Sequence, residues 1–187
     1  MSEGSDMADV SRSAHEQQLR RVDDFERSIR HTPVTSFLHR AGRTRAFAAI
    51  YRRLGPKTDP WLLRHTQGRM VSRVLGIPAL LLETTGAKTG LTRVMPLVYL
   101  RDGQDFAVVG TNFGQLHHPG WTANLLANPQ ASVEVGPERL AVTAELADDQ
   151  TWHRLWPRFV KLYPGYAAYL GRTGGRVPRM FLLHPDV

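Results

Sequence analysis

The apolar positions of this chain change period near residue 78. Upstream the repeats are helical. Thr32-Pro33 reads as an N-cap followed by proline at the first helical position. Val34, Phe37, Leu38 and Ala41 then recur at i, i+3, i+4 and i+7, and Phe47, Ile50, Tyr51 and Leu54 repeat that spacing further on. At about 100° per residue the second stripe falls on the other side of a helix. Either the helix breaks at Gly42-Arg43-Thr44 or one helix is apolar on two sides, and Gly55-Pro56 ends it. Before residue 15 the chain is small and polar without periodicity, which predicts a disordered tail over residues 1–14.

Downstream the signals are those of strands. Residues 79–84, 92–100 and 106–111 are short, apolar and bounded by glycine-containing turns. Residues 131–135 and 139–146 flank Gly136-Pro137 as a hairpin, and 180–184 adds a final strand, expected at a sheet edge. Between them, Gly120–Ala127 predicts a short helix stopped by Asn128-Pro129. Asp148-Asp149 opens a second helix carrying Trp152, Leu155, Trp156 and Phe159 on one stripe, with Pro157 expected to kink it. Five or six antiparallel strands with few helices between them predict a small β-barrel rather than a doubly wound sheet. The expected organisation is a tail (1–14), an N-terminal helical segment (15–68) and a barrel domain (69–187).

Composition narrows the chemistry. With no cysteine in 187 residues, disulfide scaffolds, thiolate metal sites and cysteine nucleophiles are excluded. No apolar run reaches the ~18 residues of a membrane span, and the polar start lacks a signal core. A soluble intracellular protein is expected. The net charge of +7 is uneven: Arg20 to Arg73 holds 13 Lys/Arg against 4 Asp/Glu. That stretch fits a solvated helix surface or a face for an anionic partner. Nucleic acid ranks last among such partners, because the arginines lack interleaved stacking aromatics.

The stretch Gly86–Gly90, GAKTG, places a lysine and a threonine between two glycines. It is not a P-loop, since Ala87 separates glycine from lysine and a strand follows in place of a helix. Its backbone N–H groups, the Thr89 hydroxyl, Lys88 and nearby Arg93 can hold an anion; the alternative is an ordinary hairpin turn. His117-His118 lacks a nearby carboxylate and reads as a polar loop, not a metal site. Ser132 lacks the glycines of a nucleophile elbow. Tyr163, Tyr166 and Tyr169 share one side of a short helix, as aromatic packing or as a pocket wall. Trp121 presents the same choice.

Taken in order, TTGAKTGLTRVMPL, VVGTNFG, HPGWTANLLANP and WPRFVKLYPGYAAY resemble the deazaflavin-dependent nitroreductase family, actinobacterial oxidoreductases that use coenzyme F420. The resemblance implies a split β-barrel of the FMN-binding-protein type, mainly β with flanking helices. It implies that Lys88, Thr89 and Arg93, with backbone help at Gly86 and Gly90, bind the anionic tail of the deazaflavin. Gly110, Thr111, Asn112 and Gly114 would lie along the ring, with Trp121 beside the cofactor and substrate. Tyr163, Tyr166 and Tyr169 would line the substrate pocket, and Tyr166 or Tyr163 would donate a proton. Ala87 stands where many relatives carry arginine, and Asn112 where some carry lysine. The expected reaction is hydride transfer from reduced F420 to a quinone, an enone or a nitroaromatic. An FMN enzyme on the same barrel, or a non-catalytic deazaflavin carrier, are the alternatives. A homodimer and peripheral contact of the N-terminal helices with the inner face of the cell membrane are further expectations.

Overall fold

The structure, a computed structural model, describes residues 3–29, 72 and 76–186. The predicted helical stripes of residues 34–54 lie outside the described residues, and so does any membrane contact they make. Among the described residues no helix is long and apolar enough to cross a membrane.

Six antiparallel strands close a barrel in the order β1-β2-β3-β6-β5-β4: β1 Ala79–Thr85, β2 Thr92–Asp102, β3 Asp105–Val109, β4 Gln130–Val135, β5 Glu138–Leu146 and β6 Met180–Pro185. The expected edge strand is not an edge. β6 pairs with β3 through Phe106↔Leu183 and with β5 through Ala144↔Leu183, and so closes the barrel. Strand alternation divides the apolar residues between two cores. Tyr99, Phe106, Val108, Phe181 and Leu183 point inward with Leu80, Leu82, Val133 and Val142. Their neighbours Val98, Leu100, Ala107, Val109, Met180 and Leu182 point outward, under the helices that follow β5.

Those helices are α3 (Asp149–Leu162) and α4 (Gly165–Leu170). Asp148 caps α3, its carboxylate accepting from Thr151 N at 2.7 Å. This bond holds its carboxyl below the usual range. The α3 helix runs through Pro157 to Leu162. It buries Leu155 and Phe159 on the outer core and is tied to the β2–β3 turn by a two-pronged Arg154–Asp102 pair, both arms at 2.6 Å.

The N-terminus departs from expectation. A helix, α1 (Glu3–Ser28), replaces the disordered tail predicted over residues 1–14 and passes through the expected boundary at 14/15 without a break. The stretch holds no proline and one glycine. Its second half is fixed by packing, and a helix once nucleated extends at little cost. Leu19 and Val22 enter the barrel core, with Phe25 packed against it, so α1 shares a core with the barrel. The stripe was hard to read because His15 and Glu26 occupy positions on the buried side.

Candidate functional site

The two ends of the barrel are closed differently. At one end, α1 stoppers it. Tyr99 Oη donates to Glu26 Oε1 at 2.7 Å, and Arg101 lies 3.7 Å from Asp23 and 4.0 Å from Glu26. Burial holds the Tyr99 phenol and the Glu26 carboxyl above their ordinary values. Gly136, in the β4–β5 turn at φ 59°, faces Phe25 so closely that a Cβ would sit 2.5 Å from the ring.

At the other end stands α2 (Gly120–Ala127). Trp121 was expected to wall the ligand site, but the structure seats it in the barrel core. It is 5% exposed with its ring 5.8 Å from Phe181. The polar side of α2 does the site work. Asn124 accepts from Ala87 N at 3.0 Å and donates to Thr84 Oγ1 at 3.0 Å, clamping the GAKTG turn. Sequence reading missed Asn124; its place in WTANLL, directly after a core tryptophan, was the available signal.

Four amides of the turn are already engaged. Gly86 N donates to Leu91 O at 2.9 Å, Thr89 N and Gly90 N donate to Gly86 O, and Ala87 N is held by Asn124. The Gly86 and Gly90 amides expected to help hold the anion are engaged within the turn itself. What the turn presents is side chains. Lys88 and Arg93 are exposed and have no ion-pair partner among the described residues. The Thr89 hydroxyl accepts only a long 3.4 Å contact from Leu91 N.

Among the described residues, half of β2 pairs on one side only. Residues 92–98 pair with β1, while pairing to β3 begins at Tyr99. Pro96 falls in the half paired on one side, where its missing N–H leaves no gap in the ladder. The segment after β3 turns away through three successive left-handed residues, Asn112 (φ 50°), Phe113 (φ 55°) and Gly114 (φ 78°). For phenylalanine this conformation is strained by about 1–3 kcal/mol and must be held by its surroundings. Gly110 is packed against Thr122, and a Cβ on Gly114 would meet Tyr169 O at 2.7 Å. Asn112 Nδ2 donates to His117 O at 3.0 Å. Of the four residues expected along a ring, Gly110, Thr111 and Gly114 are buried and shape the segment. His118 has its imidazole held below the usual range, first by burial and then by Arg179 and Arg176. No group of potential metal ligands exists among the described residues.

The segment leads directly to the tyrosines. The Phe113 ring lies 5.7 Å from Tyr169, and the rings of Tyr163, Tyr166 and Tyr169 are mutually 5.4–6.2 Å apart. Tyr163 and Tyr169 share a hydroxyl contact of 3.3 Å. Tyr166 is buried among Phe159, Trp156 and the other tyrosines, and burial holds its phenol well above the ordinary value. A continuous run of contacts thus links the basic turn, α2, the left-handed segment and the tyrosine helix. An aromatic wall carrying hydroxyls, with cations at a separate turn, fits a flat heteroaromatic ring bearing an anionic tail.

Comparison with known proteins agrees with this chemistry. A family model described as F420H(2)-dependent quinone reductase matches residues 56–184. An F420H(2)-dependent quinone reductase of Mycobacterium tuberculosis (strain ATCC 25618 / H37Rv) is 39% identical over 125 residues, which are 65% of this chain and 84% of that protein. A solved F420-H2 dependent reductase, FDR-A, is 34% identical with a TM-score of 0.53, covering 57% of this chain and 94% of that one. A solved domain-swapped dimer is 31% identical with a TM-score of 0.53, covering 66% of this chain and 97% of that one. The barrel, the basic turn and the extent of these matches converge: the chain belongs to the F420H(2)-dependent quinone reductase family.

Proposed function

We propose that this protein is an F420-dependent reductase whose acceptor is a quinone-class small molecule, with Lys88 and Arg93 as the anchor for the cofactor's anionic tail. The exposed, acid-free pair of cations on a turn clamped by Asn124 is the observation that carries this reading. An anionic tail gains charge-assisted contacts from Lys88 and Arg93, and the Thr89 hydroxyl adds a donor. Gly86 and Gly90 serve by shaping the turn. Thr111, Asn112 and Phe113 form the platform beside the ring, and Gly110 and Gly114 permit its tight turn.

When bound, the reduced deazaflavin supplies a hydride to the acceptor. The chain's part is to orient the acceptor, exclude water and provide a proton for the acceptor oxygen. Tyr163 is half-buried and shares its hydroxyl contact with Tyr169, which suits it to hold that proton. Tyr166, buried with its phenol held up, is better suited to be wall than donor. A homodimer belongs to the same reading, supported by the likeness to a domain-swapped dimer.

Titration of the purified protein with F420, and with FMN in parallel, tests the assignment. Tight F420 binding that weakens roughly tenfold or more in Lys88→Ala, with an unchanged melting temperature, supports it. FMN bound in place of F420, or an F420 affinity indifferent to Lys88, overturns it.

A further inference from the structure

The 110–118 segment has an unusual source of order. Arg176, in the connection between α4 and β6, places its guanidinium against it. Nη1 donates to Gly110 O at 3.3 Å and Nη2 to Thr111 O at 2.9 Å. Nε and Nη2 both donate to Gln115 O, at 3.2 and 2.9 Å. Nη1 also lies 3.1 Å from His118 Nδ1. The three carbonyls come from both sides of the left-handed turn, so one planar fork bridges its start and its end.

No carboxylate occurs in residues 110–128 or 163–179. The charge of Arg176 is therefore met by backbone carbonyls, with Arg179 as a like-charged neighbour. A surface ion pair is not its role. A run of three left-handed residues does not persist unless its surroundings over-determine it. Arg176 supplies that constraint at the step between the expected ring platform and the tyrosine helix, which Phe113 and Gly114 touch at Tyr169.

We propose that Arg176 is a positioning residue for the reaction: its fork sets the shape of the 110–118 segment and, through Phe113 and Gly114, the placement of the Tyr163–Tyr169 hydroxyl pair beside the acceptor. The inference rests on the reading that this segment flanks the F420 ring. Lysine cannot reproduce it, because a point charge cannot bridge three carbonyls in a fixed plane.

The test compares four proteins by F420 titration, steady-state kinetics with F420H2 and a soluble quinone, thermal melting and amide exchange. In Arg176→Lys the kcat at saturating F420H2 is expected to fall roughly tenfold or more, with faster exchange confined to residues 110–118. Lys88→Ala raises Kd and KM for F420H2, which reads the tail anchor separately from the Arg176 effect on kcat. Arg154→Met, which unties α3 from the β2–β3 turn, lowers the melting temperature and leaves Kd and kcat alone. Arg176→Gln is the companion should the lysine variant not fold. An Arg176 variant that melts earlier but keeps wild-type kcat overturns the proposal while Lys88→Ala still upholds the tail anchor. A wild-type protein that binds no F420 overturns both.

Discussion

The two ends of the barrel are built from the same alternating strands but treat their polar groups in opposite ways. At the α1 end polar and charged groups are paired: the Tyr99 hydroxyl with Glu26, Arg101 with Asp23, Arg21 with Glu138, and Asp102 with Arg154 and Arg158. At the α2 end, Lys88 and Arg93 stand exposed with no acidic partner among the described residues, and Arg176 is met by carbonyls. Paired charges there secure a plug. Cations left without acidic partners among the described residues are the feature on which the proposed tail anchor rests.

Substitutions at either end separate the two roles. The largest effect is expected for Gly136→Ala, where a Cβ would collide with Phe25 in a left-handed position. Overpacking and backbone strain together predict a loss of about 2–4 kcal/mol of stability, seen as a lower melting temperature. If the ends are independent, the F420 affinity of the folded fraction stays unchanged; a parallel loss of affinity would break the comparison.

Next is Tyr99→Phe, which leaves the half-buried Glu26 carboxylate without its hydroxyl donor and is expected to cost about 1–3 kcal/mol in urea unfolding. Lys88→Ala is its mirror image at the other end, costing affinity and no stability, and a large fall in its melting temperature would assign the lysine to the scaffold.

The smallest effect is that of Glu26→Gln. Burial raises the folded-state pKa of Glu26 above its ordinary 4.5. The native state then binds more protons than the unfolded one in that window. The resulting stability is full below pH 4.5 and is lost as pH rises through the folded pKa. Glutamine should therefore match wild type at low pH and melt slightly higher at pH 7, and a lower melting temperature at pH 7 would show that the charge of Glu26 is worth more than its burial costs.

Much of this architecture was legible in the chain. The barrel strands announced themselves through period-2 apolar runs between glycine turns, and Asp148 through the acidic start of α3, because these are local signals. The place of Trp121 in the barrel core was not legible, because a tryptophan reads alike in a core and in a pocket wall. The even spacing of three tyrosines did not reveal that Tyr166 is buried while Tyr163 is half-buried. Asn124 and Arg176 were missed because their partners, Ala87 and Thr84 for one and Gly110 to His118 for the other, are remote in sequence.

By itself the sequence determined the barrel's strands, the absence of thiol chemistry and a basic turn of the kind an anionic cofactor needs, since each depends on residue type and local spacing. Only the tertiary structure decided which groups in that turn are available. The amides of Gly86, Ala87, Thr89 and Gly90 are taken once the chain closes on itself, while the Lys88 and Arg93 side chains stay exposed. Closure also made β6 a barrel strand rather than an edge and turned a polar N-terminus into a plug, because a buried face exists only where another element comes to cover it.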